Sequence, residues 1–440
     1  MLALHKYKNK KIAIYGMGIT GCSVAQALKK LGAEIFCWDD DAKIRKKVKN
    51  FNFPVIKFWK KDFLFDNIVI SPGINIKKCK LKKYLKINLK RIITDLDLFF
   101  EFNKNCLIIS ITGTNGKSTT CKIIEKILRT AKYNVITAGN IGNPILSSSR
   151  FRKKNVLILE VSSYQLEYSR LFRSDHAAIL NISPDHLERH KSMDNYIKIK
   201  SKLFFAQNKK DYSYINPINK YSKSIKNIFK SKKLKSKLIF VNKLDCRSLL
   251  EKINNKYFVS EGNIENLTFA YSIAKNLKIK DKIIIKAINT FKGLPHRQEV
   301  VFSNKKALCI NDSKATSFDA CFQSLSNFNK IYWIVGGLPK QKDNFYLNKV
   351  KERISKAYII GKSIPFFKKQ LSNQISCKIS KNMKNAVNDI FKDFKLNSDN
   401  KITILLSPAA ASFDQFSNFE NRGNLFKNLI KRKFKQEFNV

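Results

Sequence analysis

The chain has 440 residues, 44 % of them hydrophobic and 27 % charged, which at roughly 150 residues per domain makes about three domains. That balance excludes disordered, collagen-like and mini-protein architectures, because domains of this size bury a core without a disulfide or metal staple. Lysine and arginine number 85 against 33 acidic residues, a net charge of +52, and such a field attracts anions of every kind, nucleotides and nucleic acid included.

The lysines run through the whole length beside Asn and Ile, as from Ile215 to Lys237, which reads as compositional drift rather than a dedicated basic face. A basic nucleic-acid-binding ATPase is kept as the rival class, and its binding would fall steeply with salt. The nine cysteines form no C-x-x-C pair and several lie in apolar runs, so they read as small buried hydrophobes in a reducing cytosol, with a cytoplasmic protein expected. No apolar run reaches the length of a membrane span, and the N-terminus passes directly into a strand rather than a signal h-region.

In chain order, Ile12 to Tyr15 reads as a strand, Thr20 to Leu31 as a helix with Val24, Ala25, Leu28 and Leu31 on one face, and Glu34 to Trp38 and Asn67 to Ile70 as further strands. Ser71-Pro72-Gly73 stops the last of these. This is a βαβ series and predicts a parallel sheet. A second series starts with a strand at Cys106 to Ile111 and a helix from Lys117 to about Thr130. Val135 to Ala138, Val156 to Leu159 and Ala177 to Leu180 follow as strands. The lysine-rich, glycine-free stretch from Asn208 to Lys237 reads as either a solvated excursion or a small variable subdomain, with the first favoured. A helix is expected over Asn263 to Leu277, a boundary at Gly293-Leu294-Pro295, and a third series of strands at Ala307 to Ile310, Ile331 to Val335, Ala357 to Ile360 and Ile402 to Leu406.

Two glycine loops carry the chemistry. Gly16-Met17-Gly18-Ile19-Thr20-Gly21 follows a strand, opens a helix and has Asp39 at the end of the next strand. That is the dinucleotide fingerprint, which taken alone suggests NAD but serves any nucleotide diphosphate. Thr112-Gly113-Thr114-Asn115-Gly116-Lys117-Ser118-Thr119 lies between an apolar strand and a helix, as a P-loop does, with Ile111 at the usual first glycine position. In such a loop the backbone amides cradle phosphates, a lysine neutralises the β/γ charge and a hydroxyl can ligate Mg²⁺. Two such loops on separate domains point to an ATP user acting on a nucleotide-linked substrate. Glu160, at the end of a strand, and Asp185-His186, after the next, would sit at the carboxyl edge of the sheet as Mg²⁺ ligands. His190 reads as non-ligating, since the H-E-x-x-H zinc pattern is absent.

Together with these, Gly139-Asn140-Ile141-Gly142, Glu160-Val161-Ser162-Ser163, Leu294-Pro295-His296-Arg297 and Asn311-Asp312-Ser313-Lys314-Ala315-Thr316 resemble the Mur ligases, which add amino acids to the peptidoglycan precursor. The closing stretch Leu406 to Phe416, with Phe419 and Arg422-Gly423, is similar to the D-glutamate-adding branch of that family. The resemblance implies three α/β domains: a Rossmann-like domain over 1–97, a central P-loop ATPase-type domain with a mostly parallel sheet over 98–294, and a Rossmann-like domain over 295–440. Hinges are expected near residues 97 and 295. The sister ligases for other amino acids and the folylpolyglutamate-type enzymes are the nearest alternatives.

By the same resemblance, Gly18, Ile19, Thr20, Asp39, Ser71 and Gly73 would hold the UDP part of UDP-N-acetylmuramoyl-L-alanine, which displaces the NAD reading. Asp40 and Asp41 follow Asp39 where the family carries a Thr and an Arg. Gly113 to Thr119, with Lys117 and Ser118 foremost, would bind ATP. Asn263, Asn266, Arg297, Asp312 and Lys314 would approach the nucleotide, with Asp312 suited to a ribose and Lys314 to developing phosphate charge. Asn140, Ser162, Glu160 and His186 would flank the substrate and two Mg²⁺ ions. A lysine carrying a CO₂-derived carbamate would help bind the second ion; among Lys198, Lys200 and Lys202 the family spacing selects Lys200, with Tyr196 before it and Leu203-Phe204 after. Lys117, His186, Lys200 and Lys314 are the expected catalytic set. Thr316, Lys340, Ser412 and Phe419 would hold D-glutamate. The resemblance implies no nucleic-acid partner and no membrane span, and a monomer is expected.

Overall fold

A computed structural model of the chain describes residues 6–60, 64–139, 144–146, 155–340, 343–396 and 401–438. The fold is α/β and contains three sheets. The first has strands β1 (Lys11–Tyr15), β2 (Glu34–Trp38), β3 (Asn67–Ile70) and β4 (Ile92–Ile93), all parallel, in the order β2-β1-β3-β4. The second has β5 (Leu107–Thr112), β6 (Asn134–Gly139), β7 (Asn155–Glu160), β8 (His176–Ile179), β9 (Tyr212–Ile215) and β10 (Lys237–Phe240), in the order β10-β9-β8-β5-β7-β6 and again all parallel. The third has β11 (Glu299–Ser303), β12 (Ala307–Asn311), β13 (Ile331–Gly336), β14 (Ile354–Ile360), β15 (Cys377–Lys381) and β16 (Ile402–Leu406), in the order β11-β12-β16-β13-β14-β15, with β11 the one antiparallel strand. The chain forms two compact units. Met1–Val259 with Asn263–Phe291 holds the first two sheets, and Ser260–Gly262 with Lys292–Val440 holds the third.

The central strands read as apolar runs because helices cover both faces of a parallel sheet. Every residue of β7 and of β13 is buried. The helix Lys117–Thr130 is amphipathic, and Cys121, Ile124, Ile127 and Leu128 of its inner face join a core with Ile109, Ile111 and Ile158. At about 1.5–3 kcal/mol per buried aliphatic side chain, that stripe fixes the helix and with it the loop that precedes it.

In each sheet the loops named above fall at the carboxyl ends of adjacent strands, where the winding of an open α/β sheet changes direction and a crevice opens. β1 and β3 deliver Gly16 to Gly21 and Ser71 to Gly73; β5, β7 and β8 deliver the P-loop, Glu160 and the run to His186. β12, β16 and β13 deliver Asp312 to Thr316, Ser407 to Ser412 and Gly337 to Lys340.

The stretch Asn208 to Lys237 is not a solvated excursion. It supplies β9, a helix at Ser222–Ser231 and the start of β10, which extend the central sheet to its edge. Ser213, Tyr214 and Ile215 are buried against β8, but the helix buries only Ser222 and Ile225, and no residue of β10 is fully buried. An edge βαβ unit of this kind needs few apolar positions, so lysine dominates its composition. The cysteines are all free, and six of the nine are buried, as expected. No helix among the described residues is long and apolar enough to cross a membrane.

Candidate active site

The P-loop is shaped by contacts that need particular residues. Gly116 caps the helix Lys117–Thr130 at φ 82°, in the left-handed region where a glycine has no Cβ penalty. Asn266, on the helix Glu261–Asn276, stands against it and accepts a hydrogen bond from the Thr120 hydroxyl at 3.2 Å. Asn115 donates its backbone N–H to Asn181 Oδ1 (2.9 Å), and the Thr114 hydroxyl donates to the Ser183 carbonyl (3.2 Å). These contacts leave the amides at the start of a 14-residue helix facing the crevice, the arrangement that binds phosphate. The Lys117 ammonium donates to the Gly113 and Thr114 carbonyls at 2.9 and 2.7 Å.

Ser118 donates its hydroxyl to Glu160 Oε2 at 2.5 Å, and both residues are buried. His186 adopts φ 54°, a left-handed conformation that costs a non-glycine residue about 1 kcal/mol or more and marks a position the surroundings over-determine. Its Nδ1 shares a hydrogen bond with the Tyr164 hydroxyl (3.0 Å), and its Nε2 lies 3.3 Å from Asp185 Oδ2. His190, fully buried, shares its Nε2 with the Ser163 hydroxyl, and burial holds it neutral with a pKa near 4.

Lys200 is 2 % exposed and donates to the Gly113 carbonyl at 2.9 Å and to Thr112 Oγ1 at 3.3 Å. Its pKa is driven well below the ordinary amine value, first by burial and then by the Lys117 cation. Lys198 is exposed and Lys202 points to the Glu167 carbonyl, so of the three lysines only Lys200 lies beside the P-loop.

One cleft of about 690 Å³ joins this centre to the first glycine loop. Gly18, Ile19, Thr20, Asp39, Ser71 and Gly73 line one end, and Gly113, Lys117, Ser162, His186 and Lys200 the other. Ser162 also caps the helix Ser163–Tyr168. Asp39 is committed to the loop itself, accepting the backbone N–H of Met17 at 2.7 Å and of Asp41 at 2.9 Å. Asp41 caps the helix Ala42–Lys49, and Asp40 accepts from the Tyr15 hydroxyl and the Trp38 indole. The two extra carboxylates are thus taken up by local structure.

Sequence reasoning missed Arg189. Its guanidinium pairs with Glu167 at 2.7 Å, lies over the Tyr164 ring and donates to the carbonyls of Pro72, Gly73 and Ile74, at 2.7 Å for the last. It therefore ties the loop after β3 to the segment that carries His186. No local pattern could reveal that tie, because the three carbonyl acceptors lie more than a hundred residues away.

The remaining expected residues fall in the second unit, except Asn263 and Asn140. Asn263, on the helix with Asn266, donates to the Tyr257 carbonyl, and Asn140 lies outside the described residues. Asp312 is buried, accepts from Ser324 (2.6 Å), Ser407 (3.0 Å) and the Gln298 amide, and burial pushes its pKa up to about 6 against the pull of these bonds and of Arg297. The Lys314 ammonium sits 3.7 Å from the centre of the Phe419 ring. Ser412 is buried, Thr316 is half-buried and Lys340 is exposed, each on the loop after its own strand.

Family models match both halves of the first unit: "Mur ligase MurD-like, N-terminal domain" over residues 10–93 and "Mur ligase middle domain" over residues 111–284. A UDP-N-acetylmuramoylalanine--D-glutamate ligase of Rickettsia prowazekii is 35 % identical over 98 % of this chain and 99 % of its own length. The chain belongs to the Mur ligase family. Ligases of the same name from Wolbachia pipientis and Caulobacter vibrioides are each 32 % identical over 97 % of both chains. Among solved structures, a MurF ligase of Thermotoga maritima in complex with ADP superposes with a TM-score of 0.57 at 14 % identity, covering 98 % of each chain. The UDP-N-acetylmuramate-alanine ligase MurC of the same organism gives 0.53 at 13 %, covering 98 % of this chain and all of its own. This Mur ligase thus shares the family's three-sheet fold with structures whose sequences have diverged widely.

Proposed function

We propose that the protein is an ATP-dependent, ADP-forming ligase that joins D-glutamate to the carboxylate of UDP-N-acetylmuramoyl-L-alanine, a step of peptidoglycan precursor synthesis. The observation that carries this reading is the single cleft that runs from the Gly16–Gly21 loop to the P-loop. A substrate with a nucleotide diphosphate at one end and a carboxylate at the other fits a site with an anion-binding loop at each end. The name shared by relatives at 31–35 % identity over nearly the whole chain selects the amino acid.

The donor set suits Mg²⁺. The Ser118 hydroxyl and Glu160 carboxylate are hard oxygen donors held together beside a helix N-terminus, and they would hold the ion with His186 nearby. Mg²⁺ bound there would neutralise charge on the triphosphate as it is transferred. Lys200, buried with its pKa driven down, presents an amine that can combine with CO₂; as a carbamate it would become an anionic ligand in place of a repelling cation. Intact-protein mass spectrometry at neutral pH would register the increment of one CO₂ on Lys200.

The carboxylate of the L-alanyl group attacks the γ-phosphorus of ATP and forms an acyl phosphate and ADP. The helix amides and the Lys117 ammonium stabilise charge on the transferred oxygens. His186, fixed by Tyr164, orients the acyl group. The amine of D-glutamate, held by Thr316, Lys340, Ser412 and Phe419, then attacks the activated carbonyl, and the tetrahedral intermediate expels phosphate. In the second unit, Arg297, Asp312 and Lys314 are the residues that the family resemblance assigns to the nucleotide.

Phosphate release from the purified protein should require UDP-N-acetylmuramoyl-L-alanine, D-glutamate and ATP together. Release with L-alanine, L-lysine or meso-diaminopimelate in place of D-glutamate would assign a sister activity, and release stimulated by DNA or RNA would assign a nucleic-acid-dependent ATPase.

A further inference from the structure

Arg422, on the helix Phe419–Phe438, is 1 % exposed. A guanidinium so deeply buried ordinarily faces a carboxylate, since an uncompensated buried charge is costly. Here every acceptor is neutral. Nε donates to Ser313 Oγ at 3.0 Å, and Nη2 donates to the Ser313 carbonyl at 2.9 Å and the Ala410 carbonyl at 3.0 Å. Among the described residues Nη1 has no partner at all. The Asp414 carboxylate favours the charged form but makes no hydrogen bond to Arg422, and its Oδ2 accepts the Lys362 amide at 2.8 Å. Burial lowers the Arg422 pKa to about 10, so the group stays charged at neutral pH.

The three loops that meet at this cation are those after β12, β16 and β13. Ser313 sits between Asp312 and Lys314, and its hydroxyl donates to the Phe419 carbonyl at 2.8 Å. Ala410 lies two residues before Ser412. The turn leading to Lys340 is joined to the same loop by a reciprocal pair of 2.9 Å bonds between Leu338 and Ala411. A Cβ on Gly337 would come within 3.3 Å of Arg422 Nη1.

We propose that Arg422 is a positioning and specificity-determining residue for the incoming amino acid: it fixes the spacing of the loops that carry Thr316, Lys340, Ser412 and Phe419, and its unpaired positive charge selects an acidic amino acid over a neutral one. This rests on the functional reading above. The geometry gives the cation two tasks. The guanidinium fork sets the loop spacing from beneath, which a single ammonium cannot reproduce. The missing counter-charge arrives with the substrate, whose two carboxylates complete the electrostatics of the unit only when it is bound.

Initial rates are to be measured for Arg422→Gln, Arg422→Lys and Ser313→Ala with each substrate varied in turn. In Arg422→Gln the KM for D-glutamate should rise about tenfold or more, as for a lost charged hydrogen-bonding group, while the KM for the UDP-linked substrate stays within about twofold. The preference for D-glutamate over D-glutamine should fall in Arg422→Gln and persist in Arg422→Lys, which keeps the charge and recovers part of the affinity. Ser313→Ala, a small change that frees Nε, should raise the D-glutamate KM a few-fold and decides the matter if the Arg422 variants do not fold. An unchanged D-glutamate KM in Ser313→Ala or Arg422→Gln, or equal rises in the KM values of D-glutamate and the UDP-linked substrate, would overturn the assignment. A parent enzyme that does not use D-glutamate would overturn the functional reading instead.

Discussion

Asn266 stands so close to Gly116 that a Cβ on residue 116 would come within 2.1 Å of its Oδ1. The P-loop glycine is thus required twice, by a neighbour and by a φ of 82°. Gly116→Ala should raise the KM for ATP by about tenfold or more and lower the melting temperature. The conformational part alone costs roughly 1–2 kcal/mol. Adding Asn266→Ala should relieve the clash but not the φ penalty, so the double variant should recover only part of the ATP affinity in steady-state assays.

Ser118 and Glu160 form the proposed metal-binding pair. Glu160→Gln keeps the shape and a hydrogen bond to Ser118 but removes the charge. The Mg²⁺ concentration for half-maximal velocity should rise by about tenfold or more, a loss in the range of a charged interaction. A chelator should stop turnover in the parent and added Mg²⁺ restore it. A Mg²⁺ titration curve identical to the parent's would remove Glu160 from the metal site.

Arg189 couples the loop at Gly73 to the segment carrying His186. Arg189→Lys keeps the charge facing Glu167 but loses the fork that reaches three carbonyls. The KM for the UDP-linked substrate should rise several-fold while the KM for ATP stays near the parent value, read from the two substrate titrations.

Asp95 is buried, and its pKa is pushed up to about 6, chiefly by burial, above an ordinary value of 3.8. Its Oδ1 has no partner among the described residues, and Gln165 is its side-chain donor at 3.5 Å. Because the folded chain holds this proton more tightly than the unfolded chain, the contribution is fully present below about pH 4 and is lost as the pH rises through about 6. Asp95→Asn abolishes the titration. Relative to the parent it should gain little stability at pH 4 and up to about 3 kcal/mol at pH 8, as urea midpoints would register.

The parts of the fold carried by local signals were legible in the sequence. β1, β5, β7 and β13 are apolar runs ended by glycine or polar turns, and both glycine loops announce the helices that follow. β9 and β10 were hidden because an edge needs few apolar positions and lysine fills the rest. The two-residue β4, the antiparallel β11 with no buried residue, and β15 were passed over because each is short or poorly buried at a sheet edge. At the site, Lys117, Ser118 and Glu160 were visible from motif and strand position. Arg189 was not, and Arg422 was visible as part of the closing motif but its role was not, because what defines them is a set of distant carbonyls and hydroxyls that only the fold assembles. Asp40 and Asp41 read as surplus charge in the sequence, whereas one meets Tyr15 and Trp38 and the other caps a helix.

In the proposed reaction the substrate's carboxylate becomes an acyl phosphate before the amine attacks. UDP-N-acetylmuramoyl-L-alanine labelled with ¹⁸O in the alanyl carboxylate, turned over with ATP and D-glutamate, tests this directly by mass analysis of the released phosphate. An acyl phosphate route places one ¹⁸O atom in each phosphate released. Phosphate free of label, with amide still formed, would contradict it.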